Sequence, residues 1–140
     1  MKFNVDIATL VTLLDELSTL VKEVESTQLS ETLKGQNPLT VFAPDNEAFK
    51  KLPIGLADDL HKDKEKLNAI LTYHVVNGRY LVADLKSIKK LKTVQGGILK
   101  IHEQHLLRHG VKVNDAEIKE ANLECSNGVL HTIDSVLLPK

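Results

Sequence analysis

This sequence of 140 residues has little cysteine, few aromatic residues and no tryptophan. Its one cysteine, Cys125, excludes an intrachain disulfide and therefore a disulfide-stapled scaffold. Because aromatic residues make up only 4% of the chain, leucine, isoleucine and valine must build the core. A chain of this length buries roughly 68% of its surface on folding, which is enough for a hydrophobic core that needs no disulfide bonds or structural metals. We therefore predict a single domain over residues 1–140.

The chain also lacks an excess of either charge. Its formal net charge is −1 at pH 7, so no overall field recruits nucleic acid or an anionic membrane. The densest basic cluster comprises Lys86, Lys89, Lys90 and Lys92. No aromatic residues interleave with this cluster to stack on bases, and we interpret it as a solvated turn or helix end. We expect no nucleic-acid partner.

A long apolar run is missing as well. No apolar stretch approaches the roughly 20 residues that a membrane-spanning helix needs. Asp6 and Asp15 interrupt the N-terminal stretch, which for that reason does not resemble a secretory signal. We expect no membrane span in this chain.

Apolar residues follow a helical period in the first half of the sequence. Between residues 6 and 25 they recur at intervals of three and four, which predicts an amphipathic helix or a broken pair of helices. Asp6 is predicted to cap the first turn, and Leu29–Leu33 to form a short helical piece. Residues 56–76 are again predicted to be helical, with Asp63 as a cap for their second part.

One short strand is predicted among these helices. Leu39–Ala43 is apolar and rich in β-forming residues, and prolines bound it on both sides, which is typical of a buried strand. Asp45 follows Pro44 and is predicted to cap a helix that carries Phe49.

From Arg79 onward the apolar period changes toward two. Turn signals such as Gly96–Gly97 and Asn127–Gly128 separate the segments. The predicted strands are Tyr80–Leu85, Lys92–Val94, Ile98–His102, Val111–Val113, Glu117–Leu123 and Val129–Leu138. Helices in the first half and strands in the second favour an α+β fold over repeated β-α-β units.

Three histidines cluster around one predicted hairpin. His102, His105 and His109 lie within eight residues, and three imidazoles could hold a transition metal. The spacing of His102 and His105 is one residue too short for the helical His-Glu-x-x-His motif of zinc proteases. We interpret all three as neutral, exposed hairpin histidines and predict no metal site.

The motifs give no support to a catalytic triad. A serine on a strained turn would need Gly-x-Ser-x-Gly, which the sequence lacks. His131 and Asp134 lie three residues apart, so they face opposite sides of a regular strand. Cys125 has no basic neighbour in sequence to lower its pKa, which favours a packing role. We predict a protein that is not an enzyme and uses no cofactor.

His74 lies on the apolar face of the predicted helix that ends near Val76. A functional interpretation makes it a general base or a ligand-binding imidazole. A structural interpretation makes it a neutral residue that donates to a buried carbonyl or carboxylate and ties the helix to the sheet. We favour the structural interpretation, because no nucleophile lies nearby in sequence.

Three segments together resemble the fasciclin domain family. They are Thr40–Pro53 (TVFAPDNEAFKKLP), Tyr73–Gly78 (YHVVNG) and Asn127–Pro139 (NGVLHTIDSVLLP). Their order and spacing also fit, and the resemblance covers essentially the whole chain. It implies N-terminal helices packed on a wedge of two small β-sheets. It also implies a non-enzymatic domain, outside the cell or at its surface, that mediates adhesion or matrix contacts.

The resemblance implies a functional role for some of the matching residues and not for others. The central motif places partner contact around Tyr73, His74, Val75, Val76 and Asn77. For the polar pair Asp45 and Asn46 in the first block, helix capping is a sufficient explanation.

One departure concerns the residues before the C-terminal Asn-Gly. Some animal members carry an Asp-Ile pair there and bind integrins with it, whereas this chain has Asn122 and Leu123. Without the carboxylate, the group best suited to a receptor-bound metal ion is absent. We expect no integrin binding by that motif.

The leading hypothesis is a monomeric, extracellular or cell-surface adhesion module that contacts a cell-surface or matrix protein, or a polysaccharide. The alternative is a carrier that holds a small apolar ligand between the helices and the β-wedge, since an almost purely aliphatic core can leave a pocket. A third hypothesis is a metal-dependent enzyme that uses the hairpin histidines.

Overall fold

Short helices make up most of the N-terminal half in the computed structural model, which describes residues 2–27, 29–35, 37–104, 106–107 and 109–139. The helices are α1 (Ile7–Leu13), α2 (Ser18–Glu25), α3 (Leu29–Leu33), α4 (Asn46–Lys50), α5 (Ile54–Lys62), α6 (Lys64–Thr72) and α7 (Val82–Leu85). A 3₁₀ turn, Asp15–Leu17, separates α1 from α2. The prediction of a broken pair of helices over residues 6–25 is confirmed.

All three predicted aspartate caps are confirmed. A carboxylate oxygen of Asp6 accepts from the amide of Thr9 at 2.7 Å, at the start of α1. Asp45 caps α4 through the amide of Ala48 at 2.8 Å. Asp63 caps α6 in the same way. Each carboxylate satisfies an amide hydrogen that has no partner inside its helix.

The strands are β1 (Leu39–Pro44), β2 (Val75–Asn77), β3 (Lys90–Lys92), β4 (Ile98–Glu103), β5 (Val111–Val113), β6 (Ala116–Cys125) and β7 (Gly128–Ile133). They pair in one seven-stranded order, β2-β1-β7-β6-β5-β4-β3. The β1–β7 pair is parallel and the other pairs are antiparallel. The helices and this mixed sheet confirm the α+β prediction.

The two ends of this strand order meet each other. Val76 in β2 forms an antiparallel bridge with Thr93, just after β3, and the amide of Val94 donates to the carbonyl of Val75 at 2.8 Å. The resemblance implied two small sheets. Here the seven strands form one sheet, which curves until its two edges meet. Register shifts in β6 between Ile118 and Leu123 add to the bending.

Several segments differ from their predicted secondary structure. The strand predicted over Val129–Leu138 ends at Ile133, and the strand predicted at Lys92–Val94 lies two residues earlier, at Lys90–Lys92. The helix predicted to run to residue 76 ends at Thr72, because Val75–Asn77 pairs with β1 instead. The predicted strand Tyr80–Leu85 contains α7, a helix of four residues. The amide of Val82 donates to the side-chain oxygen of Asn122 at 2.9 Å, a long-range contact that no local pattern could show.

The sheet separates two hydrophobic clusters. One cluster lies between the helices and the strand pair of β1 and β7, and it includes Ile7, Leu67 and Leu130. The other lies inside the curve of the sheet and includes Phe42 and Ile133. Because both faces of β1 and β7 are covered, every residue of these two strands is buried.

Candidate interaction surface

The segment Tyr73–Asn77 leads from the end of α6 into β2. Its first four residues, Tyr73, His74, Val75 and Val76, are all buried, with exposures of 4% or less. Asn77 is exposed. The predicted partner contact by this segment therefore remains a proposal, and it is corrected in one respect: only Asn77 and the surface beside it can touch a partner directly.

His74 is a buried, neutral residue with both ring nitrogens in use. Its Nδ1 donates to the carbonyl of Ile70 at 2.8 Å, and its Nε2 accepts from the amide of Leu137 at 2.8 Å. Burial lowers the pKa of His74 from 6.5 to about 4, against the opposing effect of the hydrogen bond to Ile70. The structural interpretation of this residue is confirmed, with the difference that it ties α6 to the segment after β7.

Tyr73 forms one wall of an open cleft of about 650 Å³, which we call the Tyr73 cleft. Its hydroxyl donates to the carbonyl of Ile98 at 2.8 Å and accepts from the side-chain amide of Asn114 at 3.1 Å. Leu138, which is 41% exposed, lies on the rim of this cleft. Its lining thus combines a fixed polar group with exposed apolar surface.

A second open cleft, of about 670 Å³, is lined by the end of the segment. Its lining includes Val76, Asn77 and Tyr80, together with Val94, which is 38% exposed. We call it the Asn77 cleft. The Tyr73–Asn77 segment therefore contributes residues to two concave surfaces, each with an exposed aliphatic side chain.

His131 is a second buried histidine, which the sequence did not mark as a core residue. Its Nδ1 accepts from the amide of Asn122 at 3.0 Å, its Nε2 donates to the carbonyl of Tyr80 at 2.8 Å, and its ring stacks on Phe42. Burial lowers its pKa to about 4. Asp134 accepts instead from the amide of Glu117, so the prediction that His131 and Asp134 do not act together is confirmed.

The Cys125 side chain is a packing element. It is 3% exposed and belongs to the cluster beneath the helices. Burial raises the pKa of the thiol to about 11, although Arg79 acts in the opposite direction. A thiol in this state is a poor nucleophile, in agreement with the predicted packing role.

The structure describes two of the three hairpin histidines. His102 is exposed on β4, and Nε2 of His109 lies 3.0 Å from the carbonyl of Lys119. His105 lies outside the described residues. Within the described part of the chain, no group of three or more histidine, cysteine, aspartate or glutamate residues could hold a metal ion.

Asp45 and Asn46, the polar pair in the segment Thr40–Pro53, form hydrogen bonds that connect separate elements of the fold. Asp45 caps α4 and also binds the ammonium of Lys119, whose pKa is raised chiefly by that hydrogen bond. The side-chain oxygen of Asn46 accepts from the amide of Thr19 at 2.9 Å, and its amide donates to the carbonyl of Asp15. Asn46 therefore anchors the start of α2, a role beyond the capping expected of the pair.

Asn122 and Leu123, which occupy the position of the Asp-Ile pair, both have structural roles in this fold. Leu123 is buried in the core. The side chain of Asn122 caps α7 through Val82, and its backbone has a positive φ of 60°. Both residues therefore have structural roles in this fold, and the expectation about integrin binding stays a prediction.

The model of the fasciclin domain family matches residues 15–139. The chain therefore belongs to the fasciclin domain family. It is 41% identical over 128 residues to protein sll1483 of Synechocystis sp., covering 89% of this chain and 68% of that protein. It is 38% identical over 125 residues to the transforming growth factor-beta-induced protein ig-h3 of Sus scrofa, covering 89% of this chain and 18% of that one.

The fold also matches a solved structure, a FAS1 domain pair from the insect cell adhesion molecule fasciclin I. The TM-score is 0.75 at 20% sequence identity, and the match covers 96% of this chain and 51% of the other. Among the described residues, no helix combines the length and apolar character that crossing a bilayer requires.

Proposed function

We propose that this domain is a non-catalytic adhesion module, at the cell surface or in the extracellular matrix, and that it binds a protein partner. Membership of the fasciclin domain family supports the assignment. The solved domain pair with the same fold belongs to an insect cell adhesion molecule, which supports it as well. The observation that supports the site is that the Tyr73–Asn77 segment contributes residues to two open clefts.

The contact surface in this proposal consists of Asn77 in one cleft and Leu138 in the other. Partly exposed aliphatic side chains beside fixed polar groups are suited to a contact of moderate affinity. The buried residues of the segment act as support, because Tyr73 and His74 hold the cleft walls through hydrogen bonds to backbone groups. The chemistry of the site is surface complementarity, and no bond is made or broken.

The double substitution Asn77→Arg with Leu138→Ser changes both clefts, and we expect it to reduce adhesion about tenfold or more. The reason is that residues at the centre of an interface carry most of the binding energy. Attachment of beads coated with the domain to cells of the source organism measures the effect. The matched control, Asn68→Arg with Leu13→Ser, makes the same chemical changes on exposed positions of α6 and α1.

Equal loss of attachment in both double variants would contradict the site. Equal attachment of wild-type beads and beads coated with an unrelated protein would contradict the adhesion function itself. Circular dichroism of each variant verifies that the fold is retained.

A second candidate function rests on an apolar cleft of about 240 Å³ among α2, α4, α5 and α6. Its lining includes Phe49, Leu52, Leu60 and Leu67. The carboxylate of Glu23 and the ring of the exposed His61 also line it and lie 3.0 Å apart. The cleft lies among the helices, and not between helices and sheet as the carrier hypothesis placed it. Its volume is just below the roughly 300 Å³ of ordinary ligand pockets, which restricts it to small ligands.

Filling this cleft tests the carrier hypothesis. Ala57 lies on its wall, and Ala57→Phe is expected to abolish binding of a small apolar fluorescent probe if the cleft is a ligand site. Titration of the wild type and the variant, with urea unfolding as the check of folding, measures this. An unchanged probe affinity in the variant, or no probe binding by the wild type, would remove the carrier function.

A further inference from the structure

The outward face of β3, β4 and β5 carries four lysines, Lys90, Lys92, Lys100 and Lys112, and we call it the lysine face. Alternate residues of these strands are buried in the core, so the residues between them point away from it. Lys90 and Lys92 were expected in a solvated turn or helix end. The structure instead places them on a strand beside two lysines from later in the chain.

The register brings like charges together. Lys90 lies directly opposite Lys100, and Lys112 lies diagonal to Lys100, because its own register partner is His102. Side chains paired in this way have Cβ atoms about 5 Å apart, and like charges in such pairs destabilise a sheet. The face therefore carries a repulsion that a bound anion would relieve.

A few acidic residues border this face, among them Glu103 at the end of β4. Glu117 is opposite Lys112, and Asp115 lies in the Tyr73 cleft together with Lys100. Across the ranges that the structure describes, no carboxylate comes within 4 Å of the ammonium groups of the lysine face. The chain as a whole is almost neutral, with 18 basic and 19 acidic residues, so this is a local segregation of charge.

We infer that the lysine face binds a linear acidic polysaccharide. Three neighbouring strands about 4.8 Å apart form a continuous strip, along which a sugar chain could present successive anionic groups to the lysines. A lysine ammonium is a point charge with three donors on a flexible stem, and it adapts to sulfate or carboxylate groups at varied angles. The inference goes beyond the proposed protein contact and does not depend on it.

The composition of the face disfavours other polyanions. It has no aromatic side chain on which nucleic-acid bases could stack. It has no arginine to grip a phosphate or carboxylate with two parallel hydrogen bonds. Ile98 is its one exposed apolar residue, which is too little to insert into a lipid surface.

The test compares dextran sulfate with uncharged dextran of the same length, each immobilised, with the full chain in solution. We expect binding to dextran sulfate alone, with an affinity that falls on the order of tenfold between low and physiological salt, since exposed charges are screened. Lys90→Gln with Lys100→Gln should weaken the affinity at least tenfold. The control, Lys64→Gln with Lys66→Gln, removes the same charge from exposed positions of α6 and should change the affinity less than twofold.

Three outcomes would overturn the inference. They are an equal loss in both double variants, equal binding to dextran and dextran sulfate, and equal affinity for polyglutamate or single-stranded DNA, which would make the face a general anion surface. The substitution Leu138→Ser changes no charge and should leave binding to dextran sulfate intact, although Leu138 and Lys100 line the same cleft. Failure of the polysaccharide site can therefore be distinguished from failure of the proposed adhesion function.

Discussion

Replacing Gly128 with alanine is expected to lower the free energy of unfolding by at least about 3 kcal/mol, in the range of severe core overpacking. A Cβ atom at this position would lie 2.8 Å from Cδ1 of Ile7 and in direct overlap with the carbonyl oxygen of Leu39. Leu39 is the register partner of Gly128 in the parallel β1–β7 pair. Relief would require the two central strands to move apart. Urea unfolding followed by circular dichroism measures the loss.

Gly55→Ala is the matched control for this substitution. Gly55 lies in α5, and a Cβ atom there would meet nothing within 4 Å. Alanine should stabilise the protein by roughly 0.5–1 kcal/mol, because glycine loses more conformational freedom in a helix. An unfolding midpoint for Gly128→Ala equal to that of the wild type would show that β1 and β7 are not packed as described.

Stability is expected to fall steeply as the pH drops from 6.5 to 4. In the folded protein, burial holds the pKa of both His74 and His131 at about 4, below the ordinary 6.5 that each recovers on unfolding. Between these two values the unfolded chain binds protons that the folded chain does not, so acid favours unfolding. Each histidine should contribute roughly 1 kcal/mol per pH unit, and roughly 3 kcal/mol over the whole interval.

Urea unfolding at pH 7.5, 6.0 and 5.0 measures this dependence. His131→Gln should lower stability at pH 7.5, because the hydrogen bonds to Tyr80 and Asn122 are disturbed, but it should also remove about half of the excess pH slope. Asn68→Gln changes an exposed side chain that does not titrate, and as the control it should leave the slope unaltered. A slope that is the same in wild type and His131→Gln would mean that His131 titrates normally in the folded state.

The sequence was sufficient to predict those elements that depend on contacts between residues close together in the chain. A carboxylate three residues before a free amide defines a cap, which is why Asp6, Asp45 and Asp63 could be assigned in advance. The segment Tyr80–Leu85 could not, because its helix is held by Asn122, some 40 positions away. A four-residue helix has too few positions to reveal a period.

The candidate surface was predictable only in part. The role of His74 followed from its apolar surroundings, since a buried imidazole must find partners. The burial of Val75 and Val76 depends on their pairing with β1, which the sequence did not indicate. The lysine face was not predicted because strand register, and not proximity along the chain, places Lys90 beside Lys100.

The position of β7 has a consequence for how the chain reaches its native state. It lies between β1 and β6, and its partner β1 comes from the first third of the sequence. Two hydrophobic clusters share this strand as their common wall. During synthesis, neither cluster can close until β7 has left the ribosome. Such long-range closure is typical of slow folding, and it leaves the aliphatic faces of β1 and the helices open to chaperones until β7 is in place.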